Sequence, residues 1–154
     1  MQRSQSALQA TQAVESRIEA NENLMRSFIE RVLNQGDYSF LKYSLHADYV
    51  YRSPEQELRG VDAIQALFET YRSAFPDLHL TIDRLLATQD QVAVAFNLTG
   101  THEGEFIGIG PTGNSVSING TLFSRIQEGQ IAEEWEVVDQ FSLLAQLGIS
   151  AMPD

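Results

Sequence analysis

The chain has 154 residues, 43% of them hydrophobic, with four prolines and no cysteine. That length predicts one domain with a sizeable core, and the missing cysteine excludes disulfides, thiolate nucleophiles and Cys-ligated metals. A formal net charge of −11, with ten scattered Lys and Arg, disfavours nucleic acid and anionic lipid, because a phosphate backbone demands a basic patch. No apolar run reaches the length of a membrane span and no leader pattern opens the chain. The sequence therefore reads as soluble and cytoplasmic, with neither a nucleic-acid nor a membrane partner.

Residues 1–21 are rich in Gln, Ser and Ala, with Leu8, Val14 and Ile18 as the larger apolar side chains. They read as a loosely helical extension with too little apolar surface to pack, and the domain proper runs over 22–150. Asn21 is placed at a helix N-cap. Leu24, Met25, Phe28, Ile29, Val32 and Leu33 then make a wide apolar stripe, and Gly36 closes that helix. Asp37 is expected to cap a short second helix carrying Phe40, Leu41 and Leu45. Ala47–Ser53 sets Tyr49 and Tyr51 against Val50 and Arg52 and stops at Pro54, the pattern of a short edge strand. Arg52 beside two tyrosines fits either a polar pocket or an exposed ion pair with a neighbouring Glu. A third helix spans Gly60–Ala74, with Val61, Ile64, Leu67, Phe68 and Tyr71 at helical spacing. Phe75-Pro76-Asp77 breaks it.

From there the period changes to two. Leu78, Leu80 and Ile82 share a face opposite His79 and Thr81, and Val92–His102 reads as a central strand covered on both sides. Gly104, Gly108, Gly110, Pro111 and Gly113 mark an irregular loop. Its spacing is not GxGxxG and no GK[ST] follows, so it is not a phosphate cradle; it is expected to cross the mouth of a cavity. Ser115–Ile126 is the next strand, Glu128-Gly129 a hairpin turn, and Gln130–Gly148 a final strand with a short helix carrying Leu143, Leu144 and Leu147.

Strict alternation in that last strand puts Ile131, Glu133, Trp135, Val137 and Asp139 on one face, read as the apolar one. Ala132, Glu134, Glu136 and Val138 fall on the other. A carboxylate on an apolar face must be paired, hydrogen-bonded or protonated. Two readings of Asp139 stand: a cap accepting a backbone N–H from Phe141 or Ser142, or a pocket carboxylate fit for proton transfer. Helices followed by strands predict an α+β fold, a curved antiparallel sheet wrapped around the helices as a cone with an apolar interior.

Four stretches carry a resemblance: LNQGDYSFLKYSLHADYVYRSP (Leu33 to Pro54), FPDLHLTI (Phe75 to Ile82), GTHEGEFIGIGPTG (Gly100 to Gly113) and EGQIAEEWEVVDQFSLLAQLG (Glu128 to Gly148). In this order they resemble the SnoaL-like polyketide cyclase (ester cyclase) family of the NTF2-like superfamily over residues 22–149. The resemblance implies a cone-shaped α+β barrel, a homodimer through the outer sheet face, and intramolecular aldol closure of a polyketide ring without metal or cofactor. It implies an acid/base role for Asp139, in a W-x-x-x-D pattern with Trp135, and makes His102 and Arg52 candidate donors to the enolate. Trp135, Arg52, Tyr51, Phe75, His79 and Phe106 are the candidates to contact a hydrophobic small-molecule substrate. Where many members carry a His near the end of the first strand, this chain has Arg52, a fixed cation that points to an anionic or carbonyl-rich ligand. His46, His79 and His102 lack metal-ligand spacing.

Fold does not fix function. The alternatives are a non-catalytic carrier or sensor holding a hydrophobic ligand in the same cone, and a protein-interaction module acting through the sheet face. Ala93, Ala95, Asn97, Thr99, Ala132 and Val138 are mild enough for a subunit contact.

Overall fold

The apolar stripe that starts at Leu24 belongs to a helix that begins much earlier. In the computed structural model, which describes residues 1–149, α1 runs over Gln2–Phe28 and continues as a π-helical turn, Ile29–Asn34. Asn21 is therefore not a cap. It is a buried mid-helix residue whose Nδ2 donates to the Thr88 carbonyl at 2.9 Å, which satisfies an amide that burial would otherwise penalise. Before it, residues 1–20 stay exposed apart from partial cover at Val14 and Ile18, because the stripe meets the sheet only from Asn21 onward. Residue 150, the expected end of the domain, lies outside the described residues.

After the helical segment α2 (Leu41–Ser44) come β1 (Leu45–Arg52), β2 (Glu57–Arg59) and α3 (Val61–Ala74). Then follow β3 (His79–Ala87), β4 (Gln91–Thr101), β5 (Ser115–Gln127), β6 (Gln130–Val138) and α4 (Gln140–Gln146). The six strands form one open, curved sheet in the order β2-β1-β6-β5-β4-β3. Leu45 opens β1 rather than closing the short helix. β1 is not an edge strand either: the three-residue β2, hidden from the sequence by its length, covers it. The α+β class holds, but the sheet is mixed. β1 and β6 run parallel, and the other pairings are antiparallel. Parallel neighbours need a long crossover, and here the crossover is the rest of the domain.

β6 departs from strict alternation at Ala132. Ile126 pairs with Ile131 and Arg125 with Glu133, so one step along β5 matches two along β6. Such a bulge turns every later side chain to the opposite face. Ile131 and Ala132 are both buried; beyond them Glu134 points inward, 2% exposed, while Trp135 and Val137 are 41% and 55% exposed. The face read as apolar is therefore the outer one. Ala132 and Val138 correspondingly leave the outer face for the inner.

Met25, Phe28, Val32, Leu41, Ile64 and Phe96 form the main core between α1, α3 and the sheet. Each such side chain stabilises the fold by about 1.5–3 kcal/mol relative to exposure. A second cluster, with Phe75, Phe106, Ile118, Leu143 and Leu147, lies under the glycine-rich loop and α4. That loop is pinned to the end of α3, where the N–H groups of Glu103 and Gly104 both donate to the Ala74 carbonyl at 3.0 and 3.1 Å. A Cβ at residue 104 would run into the Ser73 carbonyl, so only glycine permits this approach.

Candidate functional site

Two phenols on the inward parity of β1 meet two carboxyls on the inward parity of β6. The parallel register sets Tyr51 beside Glu134 and Arg52 beside Trp135. The side chains lean along the strands, so the Tyr49 hydroxyl donates to Glu134 Oε1 at 2.7 Å and the Tyr51 hydroxyl to Glu136 Oε1 at 2.8 Å. Glu134 is sealed. Its Oε2 accepts from the Ser124 hydroxyl at 2.8 Å. Burial pushes its carboxyl up to about 7, against the opposing effect of the Tyr49 and Ser124 hydrogen bonds.

Glu136 borders open space. An inner chamber of about 50 Å³, walled by Phe68, Leu80, Phe96 and Ile118 among others, lies between α3 and the sheet. A vestibule of about 420 Å³ opens past Tyr51, Glu55, Tyr71 and Phe106. Leu67, Tyr71, Glu136 and Val138 line both, so Glu136 stands at the junction of an apolar interior and a polar mouth. Burial raises its proton affinity; the Tyr51 hydrogen bond works against that, and the nearby Glu55 charge adds to it. The Tyr51 phenol is pushed up first by burial and then by Glu136. The Tyr71 phenol is raised for the same two reasons, in the same order. Both phenols are thus held neutral, as hydrogen-bond donors.

Of the residues singled out from sequence, Tyr51 and Phe106 line the vestibule. Phe75 sits behind it, buried, with its ring 5.4 Å from that of Phe106. Arg52 points outward: its guanidinium donates to Glu57 at 3.1 Å and Glu133 at 2.6 Å and lies 5.6 Å from the Trp135 ring centroid. Of its two readings the structure adopts the ion pair, and the anionic-ligand argument loses its cation. Trp135 shares that outer face and packs edge-on against Phe123. His79 is exposed on β3, beside Glu30 and Asn34.

Asp139 is exposed and caps α4, its Oδ1 accepting the Ser142 N–H at 3.0 Å. It borders an open depression of about 440 Å³ with Asn119 and Thr121 and is not among the residues that line the vestibule. His102 is fully buried against Phe75 and holds the glycine-rich loop. Its Nδ1 accepts the Thr112 N–H at 3.2 Å and meets the Thr112 hydroxyl at 3.0 Å, while Nε2 has no partner among the described residues. A ring nitrogen that accepts carries no proton, so these contacts assign the ring N–H to Nε2.

Glu136, Glu134, Tyr71 and Glu55 escaped the sequence reading. One signal was available: Tyr49/Tyr51 and Glu134/Glu136 are both i, i+2 pairs on strands that turn out to be neighbours. A raised carboxyl beside a neutral phenol, facing an apolar chamber, is equipped to take a proton from a carbon acid and return it to an alkoxide. Among the described residues no three His, Asp or Glu side chains gather as a metal site, and no helix is long and apolar enough to cross a membrane.

A family model described as SnoaL-like polyketide cyclase matches residues 23–147. No curated protein matches the chain. Among solved structures the chain is similar to AclR, a proposed hydroxylase from Streptomyces galilaeus, at 30% identity and a TM-score of 0.78, covering 87% of this chain and 99% of that one. TsrD from Streptomyces laurentii is similar at 28% identity and a TM-score of 0.78, over 86% and 97% of the two chains. IdmH, a proposed polyketide cyclase from Streptomyces antibioticus, is similar at 28% identity and a TM-score of 0.74, over 82% and 97%.

Proposed function

The chain belongs to the SnoaL-like polyketide cyclase family, and from that premise we propose that it is a cofactor-free acid/base enzyme acting on a polyketide-like ester. The reaction is an intramolecular aldol ring closure within the vestibule and inner chamber, with Glu136 in place of Asp139 as the acid/base. The observation that carries this reading is the position of Glu136: raised by burial, oriented by Tyr51, and facing the cavity. A methylene between two carbonyls is acidic enough for such a carboxylate, and a base of raised pKa is the better match. Glu136 takes the proton, the carbanion attacks the second carbonyl to form the ring bond, and the protonated carboxyl returns its proton to the new alkoxide. The neutral Tyr71 hydroxyl, which lines both chambers, is placed to donate to the enolate oxygen. Phe106 and Leu67 hold the hydrocarbon part of the substrate.

The test is solvent deuterium exchange into an uncharged aryl 1,3-diketone, followed by NMR. Catalysed exchange that falls at least about a hundredfold in Glu136→Gln and survives in Asp139→Asn supports the reading. Exchange that depends on Asp139 and not on Glu136 returns the role to Asp139. A diketone that binds the wild type without accelerated exchange favours the carrier alternative. The outer sheet face, with Phe123, Trp135 and Val137 exposed, supports placing a homodimer contact there.

A further inference from the structure

The charge of the cavity lining is at odds with the ligand that Arg52 suggested. Among the described residues two carboxyls, Glu55 and Glu136, line the vestibule, and no Lys, Arg or His does. Arg52, next to Tyr51 on β1, faces the other side of the sheet and is paired with Glu57 and Glu133. Arg59, close by in sequence, is likewise bound to Glu57 at 2.6 Å. The Glu55 charge adds to the effect of burial on Glu136, so a cation seated beside the two carboxyls is favoured by both. Three aromatic rings, those of Tyr51, Tyr71 and Phe106, line the same space. Aromatic faces with carboxylates beside them are the surroundings that hold an ammonium group. The −11 net charge of the chain adds a long-range field that concentrates cations and repels anions at the mouth.

We infer that the vestibule is a charge filter that favours substrates bearing a protonated basic nitrogen, seated at the mouth between Glu55 and the aromatic rings, and rejects substrates with a free carboxylate. The inference rests on the same site as the proposed acid/base chemistry and names what that site admits. Glu55 is the selecting residue. It is exposed on the segment between β1 and β2, where replacing it does not disturb the core.

The test is calorimetric titration of the full chain, at neutral pH and low salt, with three probes of one shape: 2-naphthylmethylamine, 2-naphthalenemethanol and 2-naphthoate. The amine is expected to bind about tenfold more tightly than the alcohol, and the carboxylate more weakly than the alcohol by a similar factor. Glu55→Gln should remove most of the amine's advantage while leaving the alcohol unchanged. Added salt should shrink the same ratio, because the mouth is open to solvent. Thr70→Trp, an exposed α3 position on the vestibule wall, should weaken all three probes if they bind there.

The inference is overturned if the wild type does not bind the amine, if the carboxylate binds as well as the alcohol, or if the amine-to-alcohol ratio survives Glu55→Gln. It is also overturned if Thr70→Trp leaves amine binding intact. Failure of the acid/base reading looks different: deuterium exchange persists in Glu136→Gln while the probes keep their order.

Discussion

The Tyr51 hydroxyl donates to Glu136 Oε1 at 2.8 Å, a bond between two parallel strands that come from opposite ends of the domain. It orients the carboxyl toward the cavity and partly offsets the effect of burial on its proton affinity. Removing the hydroxyl in Tyr51→Phe leaves burial and Glu55 unopposed, so the Glu136 carboxyl titrates at higher pH than in the wild type. The base form is the ionised one. The rising limb of the exchange rate against pH is therefore expected to move to higher pH in Tyr51→Phe, with the plateau reached later. A pH profile that does not move would separate Tyr51 from the base.

Glu134 makes stability depend on pH. Its carboxyl titrates at about 7 in the folded chain against an ordinary 4.5, so between these values the folded state holds the proton more tightly than the unfolded state. Stability falls as pH rises through that window, and the penalty is complete above about 7. Its size is roughly 3 kcal/mol. Glu134→Gln retains an acceptor for Tyr49 and carries no charge. It is expected to be more stable than the wild type at pH 8 and to show a shallower fall between pH 5 and 7 in urea titrations.

Gly104 allows the glycine-rich loop to touch the end of α3. Gly104→Ala forces a methyl against the Ser73 carbonyl, which is backbone and cannot turn aside. A loss of about 1–3 kcal/mol is expected. Because Phe106 rides on this loop, binding of an aromatic probe in the vestibule should weaken along with it. An unchanged urea midpoint would contradict the close approach.

Asp139 satisfies the first turn of α4 through Ser142. Asp139→Ala is expected to cost about 1 kcal/mol, and Asp139→Asn only a few tenths, since both Asp and Asn are good caps. Thermal melts of the two variants distinguish a cap, where Asn rescues, from a charge requirement, where it does not.

Trp135 is 41% exposed on the outer face against Phe123. If that face is the subunit contact, Trp135→Glu places a charge in it and sedimentation should shift from dimer to monomer. An unchanged sedimentation coefficient in a dimeric wild type would move the contact elsewhere.

Period and punctuation alone locate most of this fold. The helical spacing of Val61, Ile64, Leu67 and Phe68 marks α3, and the alternation of Val92 to Leu98 marks a strand, although only its Val92, Val94 and Phe96 face is buried and the Ala93, Ala95 and Asn97 face is half-covered. The order of helices and strands specifies the α+β class, because these are local properties of φ/ψ preference and of which side chains share a face. Tyr51 and Phe106, singled out from the sequence, do reach the cavity. What the tertiary structure decided is which face of β6 looks inward. Alternation says that Trp135 and Glu136 oppose each other, but a single bulged residue, Ala132, reverses the outcome, and a bulge is a property of two strands in register rather than of either one. The same pairing supplies the donors that make an inward carboxyl tolerable: Tyr49 and Ser124 for Glu134, and Tyr51 for Glu136. Hydrophobicity sends a tryptophan inside and a glutamate outside when nothing else is known. Hydrogen-bond partners arriving from residues up to 85 positions away reverse that preference, and with it the location of the proposed site.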